Sequence, residues 1–293
     1  MFLVGCSIPE RLVNPLFEVF DGGDFILSSY RDIEEDFTRM RIYLERRDDL
    51  DEATRRLKDA LGIVQAETQL EVGEIADEDW KFAYRRHFKI EQVSERIWTV
   101  PEWEEEAFKR GEFSVAPDAV KIVLDPGMAF GTGKHETTKA CLKFIDRLLK
   151  SSSLDNKKTT SLLDMGCGSG ILSIAAKKLG CENVRGFDVD QEAVDSSKEN
   201  AAKNQVEVEF FKYGLGAKVK RDLGTADIVV ANILGPLLIR FADEISPCAT
   251  DKLIISGILS ELYPEVREAY LSRGFREIEN LTLGEWTTGL LER

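Results

Sequence analysis

Leu162-Leu163-Asp164-Met165-Gly166-Cys167-Gly168-Ser169-Gly170 is an apolar strand that runs straight into a glycine-rich turn, and helical spacing begins directly behind it. Glycines permit the sharp turn and let a ligand approach the backbone closely. The spacing is GxGxG, not the GxGxxG of the dinucleotide fingerprint, so the glycines alone do not name a ligand. The next strand narrows the choice. It ends in Gly186-Phe187-Asp188-Val189-Asp190, and Asp188 follows the turn by about 20 residues. A carboxylate there can accept both ribose hydroxyls of a nucleoside ligand. Its bland alternative is a turn or capping aspartate, which fits Asp190 equally well.

Working outward from this turn, apolar strand-like runs alternate with helical segments from Val120 onward. The strands are Lys121–Leu124, Ser161–Met165, Asn183–Asp188, Glu207–Lys212, Ala226–Ala231 and Lys252–Ser256. Helical spacing covers Thr138–Leu149, Gly170–Leu179, Gln191–Asn204, Leu238–Ile245 and Leu259–Ser272. Such alternation predicts a parallel sheet covered on both faces. Phe275–Leu283 and Trp286–Glu292, joined near Gly284, read as a closing antiparallel hairpin.

Two further stretches carry candidate chemistry. Asp125-Pro126-Gly127-Met128-Ala129-Phe130-Gly131-Thr132-Gly133-Lys134-His135-Glu136-Thr137-Thr138 superficially suggests a phosphate loop. The match fails, because a Walker A sequence needs Ser or Thr after its Gly-Lys and His135 stands there. The loop still suits a ligand: Thr137 or Thr138 opens the following helix, where free N–H groups and a hydroxyl can hold a carboxylate. Thr137 fits an ordinary helix cap as well, and His135 fits a proton acceptor or a loop brace equally. In Ile228-Val229-Val230-Ala231-Asn232-Ile233-Leu234-Gly235-Pro236-Leu237, a buried strand ends on Asn232, at the sheet edge where open α/β folds place ligands. An asparagine oxygen there can accept a hydrogen bond from a substrate amine and aim its lone pair. A strand-end asparagine is otherwise a turn residue. Cys167, within the glycine turn, reads as a small packing residue.

The first 70 residues read as β-α-β-β-α-β, the order of a small ferredoxin-like domain: strands at Phe2–Ile8, Phe25–Tyr30, Met40–Leu44 and Gln65–Ile75, helices at Glu10–Phe20 and Asp48–Leu61. Residues 73–105 are charged and aromatic-rich and read as a linker helix and connection. The expected domains are therefore 1–72, a 73–105 linker, and 106–293.

Composition limits the function classes. The 293 residues carry a formal net charge of -14, which repels nucleic-acid phosphates and attracts a basic partner. Cys6, Cys141, Cys167, Cys181 and Cys248 are scattered and form no CxxC pair, which argues against a disulfide framework or zinc site and for a reducing cytoplasm. Two histidines, His87 and His135, are too few for a multi-histidine metal centre. No apolar run reaches the roughly 18 residues of a membrane span, and the N-terminus lacks the basic region of a signal peptide.

Together the Leu124–Gly133 stretch with His135-Glu136-Thr137-Thr138, the Gly166–Gly170 turn, Asp188 and Asn232-Ile233-Leu234 resemble the bacterial ribosomal protein L11 methyltransferases, the PrmA type. Asp79-Trp80, Arg86-His87-Phe88, Trp98–Pro101 and Trp103-Glu104 look like that family's connection between domains. The resemblance covers most of the chain. It implies a class I S-adenosylmethionine-dependent methyltransferase fold, Rossmann-like, behind a substrate-recognising ferredoxin-like domain. It implies S-adenosylmethionine as cofactor, S-adenosylhomocysteine as product and no metal. The family's cofactor positions fall on Thr138, Gly166, Asp188 and Asn232, with Gly168 in the same turn, and Phe130, Gly131, Thr132 and Gly133 are expected to close over the methionine end. The implied substrate is a basic ribosomal protein, trimethylated at lysine side chains and its N-terminal amine by a monomeric, cytoplasmic enzyme. Asn232 is the candidate for positioning the amine. Competing readings are a lysine methyltransferase with another protein target, a small-molecule or nucleic-acid N-methyltransferase, a non-catalytic module on the same fold, and a nicotinamide oxidoreductase, which the GxGxG spacing and the closing hairpin disfavour.

Overall fold

The computed structural model describes residues 2–20, 25–30, 37–44, 46–74, 89–110, 113, 115–124, 135–150, 160–217 and 222–293. The chain divides into two compact units, 1–87 and 88–293.

The first unit contains β1 (Phe2–Pro9), the helix Val13–Val19, β2 (Leu27–Tyr30), β3 (Phe37–Leu44), the helix Leu50–Ile63 and β4 (Glu71–Glu74). Its antiparallel sheet has the order β2-β3-β1-β4, compatible with a ferredoxin-like arrangement. Strand alternation explains the core: Val4, Cys6 and Ile8 of β1 and Met40, Ile42 and Leu44 of β3 are buried against Ala53, Leu57, Ala60 and Leu61 of the second helix. Helix 13–19 starts later than the periodicity predicts, because Glu10–Leu12 forms a 3₁₀ turn behind Pro9.

The second unit opens with β5 (Glu91–Gln92), β6 (Ile97–Pro101), the short helix Glu105–Lys109 and β7 (Val120–Leu124). The linker-helix reading of 73–105 meets strands here: β5, β6 and β7 form their own three-stranded sheet, with β6 parallel to β7. Residues 75–88 of that segment lie outside the described residues. Lys121–Leu124 was expected in the main sheet; it pairs with Ile97–Pro101 instead, because the buried β6 offers an apolar partner close in sequence.

The main sheet comprises β8 (Ser161–Met165), β9 (Asn183–Asp188), β10 (Glu209–Lys212), β11 (Ala226–Asn232), β12 (Ala249–Leu259), β13 (Arg276–Leu283) and β14 (Trp286–Glu292). Its order is β10-β9-β8-β11-β12-β14-β13. Pairings are parallel from β10 to β12 and antiparallel for β12-β14 and β14-β13. This is the class I methyltransferase architecture, a Rossmann-like, mostly parallel sheet closed by an antiparallel hairpin. Side chains alternate between two cores. Leu162, Val230 and Ile254 pack with helices Glu136–Lys150 and Ile171–Lys178, while Leu163, Val229 and Leu253 pack with helices Gly235–Arg240, Ala242–Ile245 and Tyr263–Leu271. Burial on both faces is why these strands read as continuous apolar runs. The strand order reverses beside β8, with β9 on one side and β11 on the other, so a crevice is expected at the carboxyl ends of β8 and β11.

Candidate active site

Leu162, Leu163, Asp164 and Met165 of β8 are fully buried, which fixes where the glycine turn begins. The N–H groups of Gly166 and Cys167 both donate to the Phe187 carbonyl at 2.9 Å, drawing the turn onto the end of β9. Gly166, Gly168 and Gly170 have φ of 78°, 52° and 78°, the left-handed region that glycine adopts without a steric cost. Space is equally restrictive: a Cβ on Gly166 would lie 2.5 Å from Ile233 Cγ2, and one on Gly170 2.9 Å from Phe210 Cζ.

Asp188 ends β9 half-buried. Its Oδ2 accepts from the Gly168 N–H at 2.9 Å and its Oδ1 from the Asp190 N–H at 3.1 Å. Each oxygen keeps acceptor capacity for a further donor, so the carboxylate can serve the turn and a ribose diol together. Asp190 resolves differently. It is exposed, and its Oδ1 accepts from the Glu192 N–H at 3.0 Å, capping helix Gln191–Lys203.

Asn232 stands at the carboxyl end of β11, opposite Ser256 of β12, and the preceding Ala231 pairs with Met165 of β8. Ile233 then lies against Gly166. The asparagine is thereby brought beside the glycine turn. Thr138 is buried in the first turn of helix Glu136–Lys150, and Ser256 Oγ donates to the neighbouring Thr137 carbonyl at 3.4 Å, holding that helix start against β12. His135 braces the same turn: Nδ1 accepts from the Thr137 N–H at 3.4 Å and meets Thr137 Oγ1 at 2.8 Å, while the ring packs edge-on against Trp286. Phe130, Gly131, Thr132 and Gly133 lie outside the described residues.

The structure thus brings Gly166, Gly168, Asp188 and Asn232 to one end of the sheet. The sequence reading missed Asp164. Ser173 Oγ donates to its Oδ2 at 2.7 Å, and its buried Oδ1 has no partner among the described residues. Burial, assisted by the Asp188 charge, pushes this carboxyl up to about 7. The signal was present as a carboxylate inside an otherwise apolar strand. Burial also pushes the Cys167 thiol up, with the Asp164 and Asp188 charges acting the same way, so it stays a neutral packing group. Among the described residues, no group of three or more His, Cys, Asp or Glu could hold a metal ion, and no helix is long and apolar enough to cross a membrane.

The site's bare backbone and its half-buried carboxylate at the next strand end fit a nucleoside whose polar tail reaches the turn. A model of the family "Ribosomal protein L11 methyltransferase (PrmA)" matches residues 19–293. The ribosomal protein L11 methyltransferase of Caldanaerobacter subterraneus subsp. tengcongensis is 38% identical over 237 residues, covering 80% of this chain and 71% of the relative. That of Ruminiclostridium cellulolyticum is 36% identical over 294 residues, covering 96% and 85%. The crystal structure of ribosomal protein L11 methylase from Lactobacillus delbrueckii subsp. bulgaricus superposes with a TM-score of 0.60 at 31% identity, over 70% of this chain and 99% of that one.

Proposed function

The chain belongs to the ribosomal protein L11 methyltransferase family, and on that premise we propose that it methylates amino groups of ribosomal protein L11, trimethylating lysine side chains and the N-terminal amine. Its cofactor is S-adenosylmethionine, which when bound supplies a methyl group already activated on a sulfonium and leaves as S-adenosylhomocysteine. The observation that carries the reading is the Gly168–Asp188 hydrogen bond at the end of the sheet where β11 also ends on Asn232; it supports a nucleoside site with an amide within the same crevice.

Each residue then has a task. The Gly166–Gly170 turn offers its backbone to the cofactor. Asp188 accepts the ribose hydroxyls. Thr138 and the start of its helix suit the cofactor's carboxylate. Asn232 Oδ1 accepts an N–H of the incoming amine and directs the lone pair. A free lysine has a pKa of about 10.4, so the site must capture the neutral form and hold it about 3–3.5 Å from the methyl carbon.

The net charge of -14 favours a basic protein over nucleic acid as the partner. Residues 1–72 take the part of the substrate-recognising domain. The five buried free cysteines suit a reducing cytoplasm, where the enzyme acts as a monomer. The test is incubation of the purified chain with labelled S-adenosylmethionine and a ribosomal-protein extract, followed by mass spectrometry of labelled bands. Label on L11 lysines and N-terminus is expected. Label confined to another protein, or to RNA, overturns the assignment.

A further inference from the structure

Large apolar side chains exposed singly are ordinary, but clustered ones mark a surface that something covers. In the second unit Val189, Leu234, Leu237 and Leu259 are all exposed, and all stand at or just beyond the carboxyl ends of β9, β11 and β12. Leu234 is 64% exposed, although Ile233 before it is folded onto the glycine turn. Its backbone is extended and anchored, because its carbonyl accepts the N–H groups of Leu237 at 2.9 Å and Leu238 at 3.2 Å. Leu238 is fully buried and its carbonyl accepts from Tyr270 Oη at 3.0 Å, so the helix that presents Leu237 is fixed.

Leu259 reaches the same place from β12. The segment 233–237 packs on the segment 258–262 at Gly235, where a Cβ would meet Leu262 Cδ2 at 2.7 Å and Ile258 Cγ2 at 3.5 Å. Gly257, with φ of 80°, brings its backbone onto the Ile233 carbonyl, where a Cβ would lie at 2.4 Å. The result is a rigid apolar rim next to Asn232, on the side away from the ribose carboxylate.

We propose that Leu234, Leu237 and Leu259 form the mouth on which the amine-bearing segment of the protein substrate lies, with the methylene stem of the target lysine packed along Leu234. The inference rests on the amine-transfer reading above and adds the chemistry the substrate must present: an amine on an aliphatic stem within a segment carrying apolar neighbours. A lysine stem buries its methylenes on such a surface while its nitrogen reaches a polar acceptor, here Asn232. The rim offers nothing to a phosphate.

The test is steady-state methyl transfer to purified ribosomal protein L11, with cofactor affinity measured separately by calorimetry. Leu234→Ser and Leu259→Ser are each expected to raise KM for the protein about 10-fold, the equivalent of losing part of one buried side-chain contact, without changing cofactor affinity. Leu234→Met should restore KM, and Ile278→Ser, an exposed apolar residue on edge strand β13, should leave it alone. An unchanged KM in both serine variants overturns the mouth, as does a loss of cofactor affinity that parallels KM. If the wild-type chain transfers nothing to L11, the proposed substrate falls and the mouth with it; if it transfers normally and the serine variants match it, only the mouth falls.

Discussion

Ser173 Oγ donates a 2.7 Å hydrogen bond to Asp164 Oδ2 within a fully buried pocket, and Asp164 Oδ1 has no partner among the described residues. Hydrogen bonding from the Ser173 side chain and backbone lowers the carboxyl's pKa, but burial outweighs it and sets the group at about 7 against an ordinary 3.8. A folded-state pKa above the unfolded one means that the protonated form is favoured by folding. The stability this group contributes is full below its unfolded pKa and is lost as pH rises through about 7. Asp164→Asn cannot ionise. Its Tm, measured without cofactor, should gain on the wild type as pH goes from about 5 to about 8. A Tm difference that stays flat across that window would show that Asp164 titrates normally.

Asp188→Ala removes the carboxylate that binds Gly168 and is assigned to the ribose. Hydrogen bonds to a charged group are worth about 1.5–3 kcal/mol each, so cofactor affinity should fall at least about 10-fold by calorimetry. Undiminished affinity would remove the ribose assignment.

Asn232→Ala should act on transfer instead. A misplaced amine costs about 100-fold in rate, so the single-turnover rate at saturating cofactor should drop by that order while cofactor affinity changes little. The role given to Asn232 does not survive an unaltered single-turnover rate.

Gly166→Ala meets two obstacles. The left-handed φ of 78° costs an alanine about 1–2 kcal/mol, and its Cβ would lie 2.5 Å from Ile233 Cγ2. Both Tm and cofactor affinity should fall. Adding Ile233→Ala should recover the steric part and leave the backbone part, so the double variant should lie between Gly166→Ala and wild type in Tm.

Arg96 and Asp146 form an almost fully buried pair that ties the turn before β6 to helix Glu136–Lys150. Nε donates to Oδ1 at 2.6 Å and Nη2 to the Asp146 carbonyl at 2.7 Å. Asp146→Ala leaves the buried guanidinium with the exposed and more distant Asp118 carboxylate, 4.0 Å away, as counter-charge, and urea unfolding should report a loss toward the lower end of about 3–5 kcal/mol.

The main sheet was legible in the sequence because strands buried on both faces alternate with amphipathic helices, a pattern that survives without knowledge of pairing. Pairing itself was not legible. Val120–Leu124 has the same apolar character as the strands of the large sheet, and only its hydrogen bonds to Ile97–Pro101 show that it belongs elsewhere. Helix limits shifted for local reasons: the stretch 238–245 breaks at Phe241 into two short helices, and β12 runs on through Leu259, where a helix was expected to begin. At the candidate site, the placement of the glycine turn, Asp188 and Asn232 was legible because each sits at a strand end, where sequence position and sheet edge coincide. Asp164 was overlooked because it lies one step inside its strand. The exposure of Leu234 was hidden because an apolar residue in a sequence does not say whether it faces protein or solvent.

β14 lies between β12 and β13, although it is the last of the three along the chain. During synthesis the sheet therefore waits with an open slot: β12 and β13 cannot be joined until residues 286–292 have been made and inserted. A nascent chain halted before Trp286 would present the buried β12 residues Leu253, Ile254 and Ile255 on an unpaired edge, a template for pairing with other chains. Assembly of this unit is thus gated by the arrival of its final strand, and a ribosome-bound chain is vulnerable to aggregation until then.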